Sequence, residues 1–440
     1  IDKRLLNLAG ASSGMDFGGT TVGSTNEIEV AQGGSLITAN GQTDLSNFQV
    51  TRTNQTTPRL DLRKAYSVTV ALGQSLATLR RLTVTGTQDG KPLLKGDLTS
   101  PMQIAWGSVS NAIGDAALTM AVAGLDLADW KPFLGELAPE GIVNMTAKLL
   151  SQQGGRQVTL DFDSRIDRLT VNAGSNHISD ATITMRASAK ATELKQFNLA
   201  ESKLEVARQN EVLTTLSGSG TYDTEAETAD MQFAARAALA PLLRALPQPD
   251  MSVSSGTLDL KAHLTQKQKT QTVTGNLALA DFTGRYDQNE FRSYGTTADF
   301  DVSMTPQQVQ IRKLAGKLTQ GANPGGSFDL VGTYDLVKKT TDLTAKLTDC
   351  NQNGVGPFLE PMLADKKLVS VAINANTTAQ YDPEGASAVK ADFQMANLVV
   401  KDPKNQFPAT PLEAKLQMDV SLRKQVADVR QCQLTLTPTA

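Results

Sequence analysis

The stretch that decides the fold is Leu412-Glu413-Ala414-Lys415-Leu416-Gln417-Met418-Asp419-Val420-Ser421-Leu422-Arg423, in which apolar and polar residues alternate throughout. Successive side chains of a β-strand point to opposite faces, so this segment has one apolar and one polar face. The alternation recurs in residues 258–264, 298–304 and 343–347. Turn sequences such as Asp382-Pro383-Glu384-Gly385 separate the runs. The sequence therefore predicts a mainly β protein of antiparallel strands joined by short turns.

Three short proline-containing segments interrupt the strands. They are Pro132-Phe133-Leu134, with Trp130 just before it, Pro241-Leu242-Leu243 and Pro357-Phe358-Leu359. Similar spacing, from 132 to 241 and from 241 to 357, indicates an internal repeat. The surrounding residues, 127–137, 239–246 and 356–363, are apolar on one side. They predict short helices that cap the sheet at repeat junctions, because helices of this length are stable only when packed.

Two further sequence features recur with the repeat. Gly220-Thr221-Tyr222-Asp223 returns as Gly332-Thr333-Tyr334-Asp335. A bend, in which polar residues precede an apolar one, predicts a β-bulge in each copy. The bends lie at residues 45–48, 166–169, 279–282 and 395–398.

These features predict four repeats that form one continuous elongated array rather than independent domains. The predicted units are a partial first repeat in 1–95, a second in 96–219 with an insertion near 101–115, a third in 220–331 and a truncated fourth in 332–440. Strand-like sequence at both ends predicts that the chain is a segment of a longer protein.

Composition and motifs argue against several classes of function. The net charge is −3, with 42 Lys and Arg against 45 Asp and Glu, and no basic stripe suits nucleic acid. No nucleophile elbow, phosphate-binding loop or dinucleotide fingerprint is present. His177 and His263 have no partners at metal-ligand spacing, so we expect no metal. Since the motifs of enzymes are also missing, we expect no cofactor, no small-molecule substrate and no enzyme activity. Cys350 and Cys432 either form one disulfide or remain separate thiols.

The apolar face of such a sheet must be covered. Tandem β-sandwiches with sealed cores are one solution, and an antiparallel array that curls into a groove is the other. Stacked repeats favour the groove, because their apolar faces merge into one stripe suited to acyl chains. The residues expected to line it are Leu258, Leu260, Leu277, Leu279, Phe300, Val302, Phe393, Met395, Leu416 and Met418.

The first proline-containing segment also resembles a known family. Leu125-Asp126-Leu127-Ala128-Asp129-Trp130-Lys131-Pro132-Phe133-Leu134 is similar to the leucine-aspartate-aliphatic, then Pro-Leu-Leu segment of AsmA-like proteins. The strand pairs and bends that follow are similar too. The resemblance covers most of the chain and implies the repeating β-groove architecture (the β-taco) shared with TamB- and YhdP-like proteins. It carries no catalytic residues.

The resemblance further implies a place in the cell. Its members are periplasmic cell-envelope proteins that an N-terminal helix anchors in the inner membrane, and they are implicated in moving phospholipid toward the outer membrane during outer-membrane biogenesis. We therefore expect a non-enzymatic lipid-transport segment, attached to the inner membrane through a segment absent from this chain. Expected partners are phospholipid or another acyl lipid and inner- and outer-membrane proteins. The alternative is an envelope spacer or surface stalk with a closed β core.

Overall fold

A computed structural model describes residues 3–10, 14–52, 55–106, 114–134, 139–173, 176–404, 410–423 and 426–438. The chain is 75% strand and 9% helix, and the strands pair in antiparallel fashion, which confirms the predicted fold class. Two compact units are present, Ile1–Thr224 and Glu225–Ala440. The division into four repeats stays a prediction. Among the helices of the described ranges, none has the length and apolarity required to span a bilayer.

The first unit is a sheet of consecutive antiparallel strands. Its strands are β1 (Thr21–Ala31), β2 (Leu36–Phe48), β3 (Thr51–Arg52), β4 (Gln55–Thr56), β5 (Leu60–Ala71), β6 (Leu76–Gln88), β7 (Lys91–Ser100), β8 (Met102–Ala105), β9 (Ala116–Asp126), β10 (Glu140–Gln152), β11 (Gln157–Ala173), β12 (Asn176–Thr192), β13 (Gln196–Arg208) and β14 (Glu211–Asp223). Strands β3 and β4 form a separate hairpin, and β8 pairs with β6 alongside β7. Helix α1 (Lys3–Gly10) precedes β1, and 3-10 helices occupy Gln32–Gly34, Leu72–Gln74, Leu127–Phe133 and Gln153–Gly155.

The second unit pairs each strand with the next in chain order. Its strands are β15 (Thr228–Ala238), β16 (Met251–Lys267), β17 (Thr270–Tyr286), β18 (Asn289–Met304), β19 (Gln308–Gln320), β20 (Asn323–Asp335), β21 (Thr341–Asn351), β22 (Lys367–Tyr381), β23 (Ala386–Lys401), β24 (Leu412–Arg423) and β25 (Val426–Pro438). Helix α2 (Leu239–Ala245) follows β15. Helix α3 (Gln352–Leu359) and a 3-10 helix (Glu360–Leu363) lie between β21 and β22.

Each of the four predicted bends is a β-bulge, which confirms this part of the sequence analysis. The pairing register shifts at every bend, and one residue takes a left-handed conformation with φ near 50°. These residues are Asn47, Arg168, Asp281 and Asn397. The extra residue places positions three apart on the same face, so Met395 and Leu398 both pack on one cluster. A further bulge of this kind, at Asp349, was not predicted.

A hydroxyl group supports three of the bulges. It comes from the chain beside the bulged strand and donates to the carbonyl oxygen of the left-handed residue. The pairs are Thr20 with Asn47 (3.2 Å), Ser255 with Asp281 (2.8 Å) and Ser370 with Asn397 (2.7 Å). A bulge interrupts the ladder, so these hydroxyls supply a partner for the carbonyl oxygens.

Two buried clusters form the core of the second unit. One contains Cys350, Leu368, Val371 and Ile373, and the other contains Phe282, Phe291 and Tyr294. Cys350 is fully buried whereas Cys432 is exposed on β25, and neither is in a disulfide. Among the described residues of the first unit, the buried apolar side chains are only Val50, Ala116, Ala181 and Leu213.

One local expectation needs correction, and the structure adds detail to two others. The chain does not open in a strand, because Lys3–Gly10 is helical and Asn7 accepts a hydrogen bond from the backbone N–H of Phe17 (2.6 Å). Part of the expected insertion is a strand, since β8 pairs with β6, and residues 107–113 of it lie outside the described ranges. The first proline segment is a 3-10 helix that Asp126 caps by accepting from the N–H of Ala128 (3.0 Å).

Candidate functional site

The ten residues expected to line a groove all lie on one face of the second unit. Six of them are on β16–β18 and four on β23–β24. Directly opposed residues share a face of a sheet, and Leu260 opposes Leu277 while Phe393 opposes Leu416. Strands β19–β22, which the sequence analysis did not assign to the groove, carry the same face from one set to the other.

Three neighbouring rows of opposed residues cross all eleven strands of the second unit on this face. The first row is Phe233, Ala262, Gly275, Phe300, Leu314, Leu330, Ala345, Thr377, Ala391, Met418 and Cys432. The second is Ala235, Leu260, Leu277, Ala298, Gly316, Phe328, Leu347, Ala375, Phe393, Leu416 and Leu434. The third is Met231, Leu264, Val273, Val302, Ile311, Gly332, Leu343, Ala379, Val389, Val420 and Val429.

We call these three rows the apolar face. None of its residues is charged, and Thr377 is its single side chain with a hydroxyl group. Seven of the ten expected lining residues belong to it. The other three, Leu258, Leu279 and Met395, lie two positions nearer the bulges on the same side of the sheet.

The opposite face of the same strands is polar. One of its rows reads Ala234, Lys261, Asn276, Asp299, Ala315, Asp329, Lys346, Asn376, Asp392, Gln417 and Gln433. Nδ2 of Asn276 donates to Asp299 (3.0 Å), and so does Nζ of Lys313 (3.0 Å). These two contacts lower the pKa of that exposed carboxyl group. Water therefore solvates this side of the sheet while the other side presents carbon.

The apolar face is half-covered rather than sealed. All ten expected lining residues are of intermediate exposure, and Phe233 and Leu434 at its two ends are 44% and 62% exposed. Ten gaps between eleven strands, at about 4.8 Å each, make a face roughly 48 Å long across the strands. Soluble proteins seldom leave so large a contiguous apolar surface open unless it binds something.

Aromatic rings lie across glycines on this face. Phe300 is directly opposite Gly275, and Phe328 is directly opposite Gly316. A Cβ atom on Gly316 would stand only 2.6 Å from Cζ of Phe328, so the ring occupies the space that a side chain would take. Because glycine has no side chain, each ring can lie directly over the backbone of the neighbouring strand.

The first unit carries a comparable row across its own strands. The members are Val22, Leu45, Leu62, Gly86, Leu94, Val122, Met145, Ser164, Met185, Leu204 and Leu216. Ser164 is its one polar member. The same alternation has thus produced an apolar side in each unit.

The junction helices of the second unit pack beside the bulges. Leu239 at the start of α2 contacts the Phe282 cluster, and Val355 and Leu359 of α3 contact the Cys350 cluster. Pro241 and Pro357 are buried inside these helices, whereas Leu242, Leu243 and Leu359 are half-buried. Phe358 is 51% exposed, although its ring meets those of Phe291 and Tyr294 edge to face.

The first junction segment is less fully described. The indole Nε1 of Trp130 donates to Oε1 of Gln88 (3.4 Å), which supports a packing role for this ring at the sheet. Pro132 and Phe133 belong to the 3-10 helix, but their side chains lie outside the described part of the chain. Leu134 follows the helix and is exposed.

An apolar cavity of about 470 Å³ lies near the end of the third junction segment, at the bulge side of β23 and β24. Its lining includes Leu363, Leu398, Val400 and Leu412, with Lys366 as the charged member. This volume falls in the range of small-ligand pockets. The sequence analysis missed the cavity, because its walls come from a helix end and three strand ends that are distant in the chain.

Metal ligands are not gathered at any point among the described side chains. These side chains contain no group of three His, Cys, Asp or Glu residues placed to hold a metal ion. Nε2 of His263 lies 2.8 Å from Oδ1 of Asp230 on the exposed polar side. The chemistry that the apolar face provides is therefore the exclusion of water from carbon. No protein-family model matches the chain, and no curated protein matches it either.

Proposed function

We propose that the apolar face binds the acyl chains of phospholipid, and that the chain is a non-enzymatic lipid-transport segment of a cell-envelope protein working between inner and outer membranes. The observation that supports this most directly is the set of three uncharged rows across eleven strands, in which only Ala298 is buried. Attachment to the inner membrane and contact with membrane proteins belong to the same proposal.

The physical basis is hydrophobic transfer. Each methylene group that leaves water for an apolar surface contributes about 0.8 kcal/mol. Many half-buried Leu, Val, Phe and Met side chains in rows provide such a surface without a single specific contact. An acyl chain bound in this way can slide between equivalent positions, which suits transport better than tight storage. Polar head groups would remain in water at the edge of the face.

The alternative is a spacer or stalk in which the apolar face is a sealed core. Two observations favour the open face. In the described part of the second unit, the buried apolar side chains lie mostly in the two clusters and the junction helices, and only Ala298 of them belongs to the three rows. The junction helices contact the clusters beside the bulges, so the Phe300 and Val302 rows keep their exposure.

The first test examines the purified protein for bound lipid. Organic extraction followed by mass spectrometry should recover phospholipid, and a dye that fluoresces in apolar surroundings should bind in competition with added lipid. Protein that is folded by circular dichroism yet carries no lipid and takes up no dye would overturn the proposal in favour of a sealed core.

A second test places a photo-crosslinking amino acid at Phe233, on the apolar face of β15, and at Lys261, on the polar face of the neighbouring β16. Lipid carried in vesicles should crosslink at the first position and not at the second. Equal crosslinking at both positions would indicate nonspecific adsorption.

A further inference from the structure

The apolar cavity beside the third junction segment has a charged residue in its wall. Leu363, Leu398, Val400, Pro411, Leu412 and Pro438 supply carbon, and Lys366 is part of the same lining. Successive strand residues alternate in direction, so Glu413 points away from the cavity that Leu412 lines. The cavity thus combines an apolar interior with an ammonium group.

A second lysine lies near the first. Nζ of Lys366 is 3.6 Å from Oδ1 of Asp365, and Nζ of Lys404 is 3.1 Å from Oδ2 of the same carboxylate. Two ammonium groups share the Asp365 carboxylate, and residues 365–367 and 401–404 together carry four lysines against two aspartates, so this end of the sheet is positively charged. The side chains of Lys366, Lys404 and Asp365 are partly exposed, so a ligand in the cavity is able to reach them from solvent.

The neighbouring strand ends add to the positive potential. Lys367 and Lys401 oppose each other directly across β22 and β23, a like-charge pair that is unfavourable without an anion nearby. Their side chains lie on the opposite side of the sheet from Val400. They therefore raise the electrostatic potential at the cavity without contacting a ligand in it. Asp402 is buried and accepts the backbone N–H of Lys404 (2.9 Å), which helps to set the turn that carries this lysine.

We propose that this cavity is a head-group site for anionic phospholipid, with the phosphate between Lys366 and Lys404 and the first part of an acyl chain among the apolar residues. The inference rests on the proposed function and adds a lipid class and a position to it. An anionic lipid matches both properties of the site, since a zwitterionic head group carries its own cation beside the phosphate and gains less from the lysines.

The test uses the full chain with a photo-crosslinking amino acid at Thr410, which lines the cavity, and separately at Phe233, which is distant from it in the sheet. Vesicles of phosphatidylglycerol and of phosphatidylcholine are the probes. Crosslinking at Thr410 should favour phosphatidylglycerol roughly tenfold, because its phosphate charge is not cancelled by a cation in the same head group as it is in phosphatidylcholine. Crosslinking at Phe233 should show little preference.

One double variant with a matched control tests the charge of the site, and a further variant tests the shape of the cavity. Lys366→Gln with Lys404→Gln should abolish the preference at Thr410, whereas the matched pair Lys346→Gln with Lys390→Gln on the polar face should preserve it. Leu412→Phe, which fills the cavity, should reduce capture of both lipids at Thr410. Inorganic phosphate at the concentration of the lipid should not compete.

The outcomes distinguish this inference from the proposed function. Capture at Phe233 together with equal capture of both lipids at Thr410 would refute the head-group site alone. Competition by inorganic phosphate would reduce the site to a free-anion site and also refute it. Loss of capture at both positions would refute the proposed function itself.

Discussion

The phenolic hydroxyl of Tyr294 donates a hydrogen bond to the carbonyl oxygen of Gly354, 3.1 Å away, and joins β18 to helix α3. Tyr294 is 5% exposed, and its ring meets Phe291 and Phe358 edge to face. The helix backbone also approaches β20 closely, because a Cβ atom on Gly325 would stand 2.7 Å from the Cα of Gly354. These contacts hold a short helix that has little stability of its own.

Removing this hydroxyl should weaken the second unit. Tyr294→Phe keeps the ring but leaves the carbonyl oxygen of Gly354 without this partner, so the free energy of unfolding should fall by about 1–2 kcal/mol. Urea unfolding followed by circular dichroism measures the change. Tyr286→Phe is the control, because Tyr286 is 56% exposed, and its unfolding midpoint should not move. Equal midpoints for Tyr294→Phe and the unmodified protein would contradict the role assigned to the bond.

Tyr294 should also make stability depend on alkaline pH. Burial, and then the neighbouring Cys350, raise the pKa of Tyr294 from 10.0 to about 12. The unfolded chain releases this proton first, so the contribution is complete below about pH 10 and is lost as the pH rises toward 12.

A spectrophotometric titration of the folded protein checks this. A late tyrosine ionisation step near pH 12 should be present, and Tyr294→Phe should remove that step. Circular dichroism during the titration shows whether the fold persists. A late step that survives in the variant would assign the shifted pKa to another tyrosine.

The bulge at Asn397 should be sensitive to backbone conformation. Its φ of 53° is unfavourable for a β-branched residue, so Asn397→Val should lower the free energy of unfolding by about 1–2 kcal/mol. Asn397→Gly is the matched control, because glycine adopts this φ readily and the carbonyl oxygen still accepts from Ser370. Urea midpoints for the two variants give the comparison, and a glycine variant that loses as much as the valine variant would assign the effect to the lost side chain.

The ring of Phe300 should exclude a methyl group at Gly275. A Cβ atom there would collide with that ring and with the carbonyl oxygen of Lys261. Gly275→Ala should therefore lower the free energy of unfolding by about 1–3 kcal/mol, as overpacking does. Gly23→Ala is the control, since no heavy atom lies within 4 Å of its added Cβ. A Gly275→Ala protein as stable as this control would show that the ring does not lie across the glycine.

Charges on the apolar face should remove lipid binding while leaving the fold largely intact. Leu416→Asp with Met418→Asp places two carboxylates on half-buried positions of β24. Lipid crosslinking is measured at two reporter positions: Leu434, which is opposite Leu416, and Phe233, which lies at the other end of the face. We expect strong loss at Leu434 and an unchanged circular dichroism spectrum. Gln417→Asp with Ser421→Asp, on the polar face, should crosslink normally. Unfolding of the first double variant would place these residues in a closed core.

Much of the fold follows from local rules. Alternation in residues 412–423 predicts a strand with two unlike faces. Strand β24 begins and ends at the same residues as this stretch, Leu412 and Arg423. The polar-then-apolar bends predict bulges, and in three of the four the left-handed position is held by Asn or Asp, which tolerate that conformation, with Arg168 in the other. The ten expected lining residues share a face for the same reason, since the period of two assigns side chains to sides.

Other features depended on contacts between distant residues. Helix α3 begins at Gln352 rather than at the expected residue 356, because Asn351 caps it through the N–H of Asn353 (2.9 Å) and the chain passes close to Gly325. No local pattern predicts such a start. The aromatic cluster around Tyr294 and the cavity beside Lys366 were missed for the same reason.

The amino-acid sequence by itself determined that this chain forms strands with one apolar side, interrupted by bulges and by short proline-containing helices, because alternation, turn chemistry and backbone preference act over a few residues. Only the tertiary structure decided that three uncharged rows align across eleven strands, since alignment depends on the register of every neighbouring pair. It also decided where α2 and α3 pack beside the bulges, because packing with the sheet stabilises helices too short to persist alone.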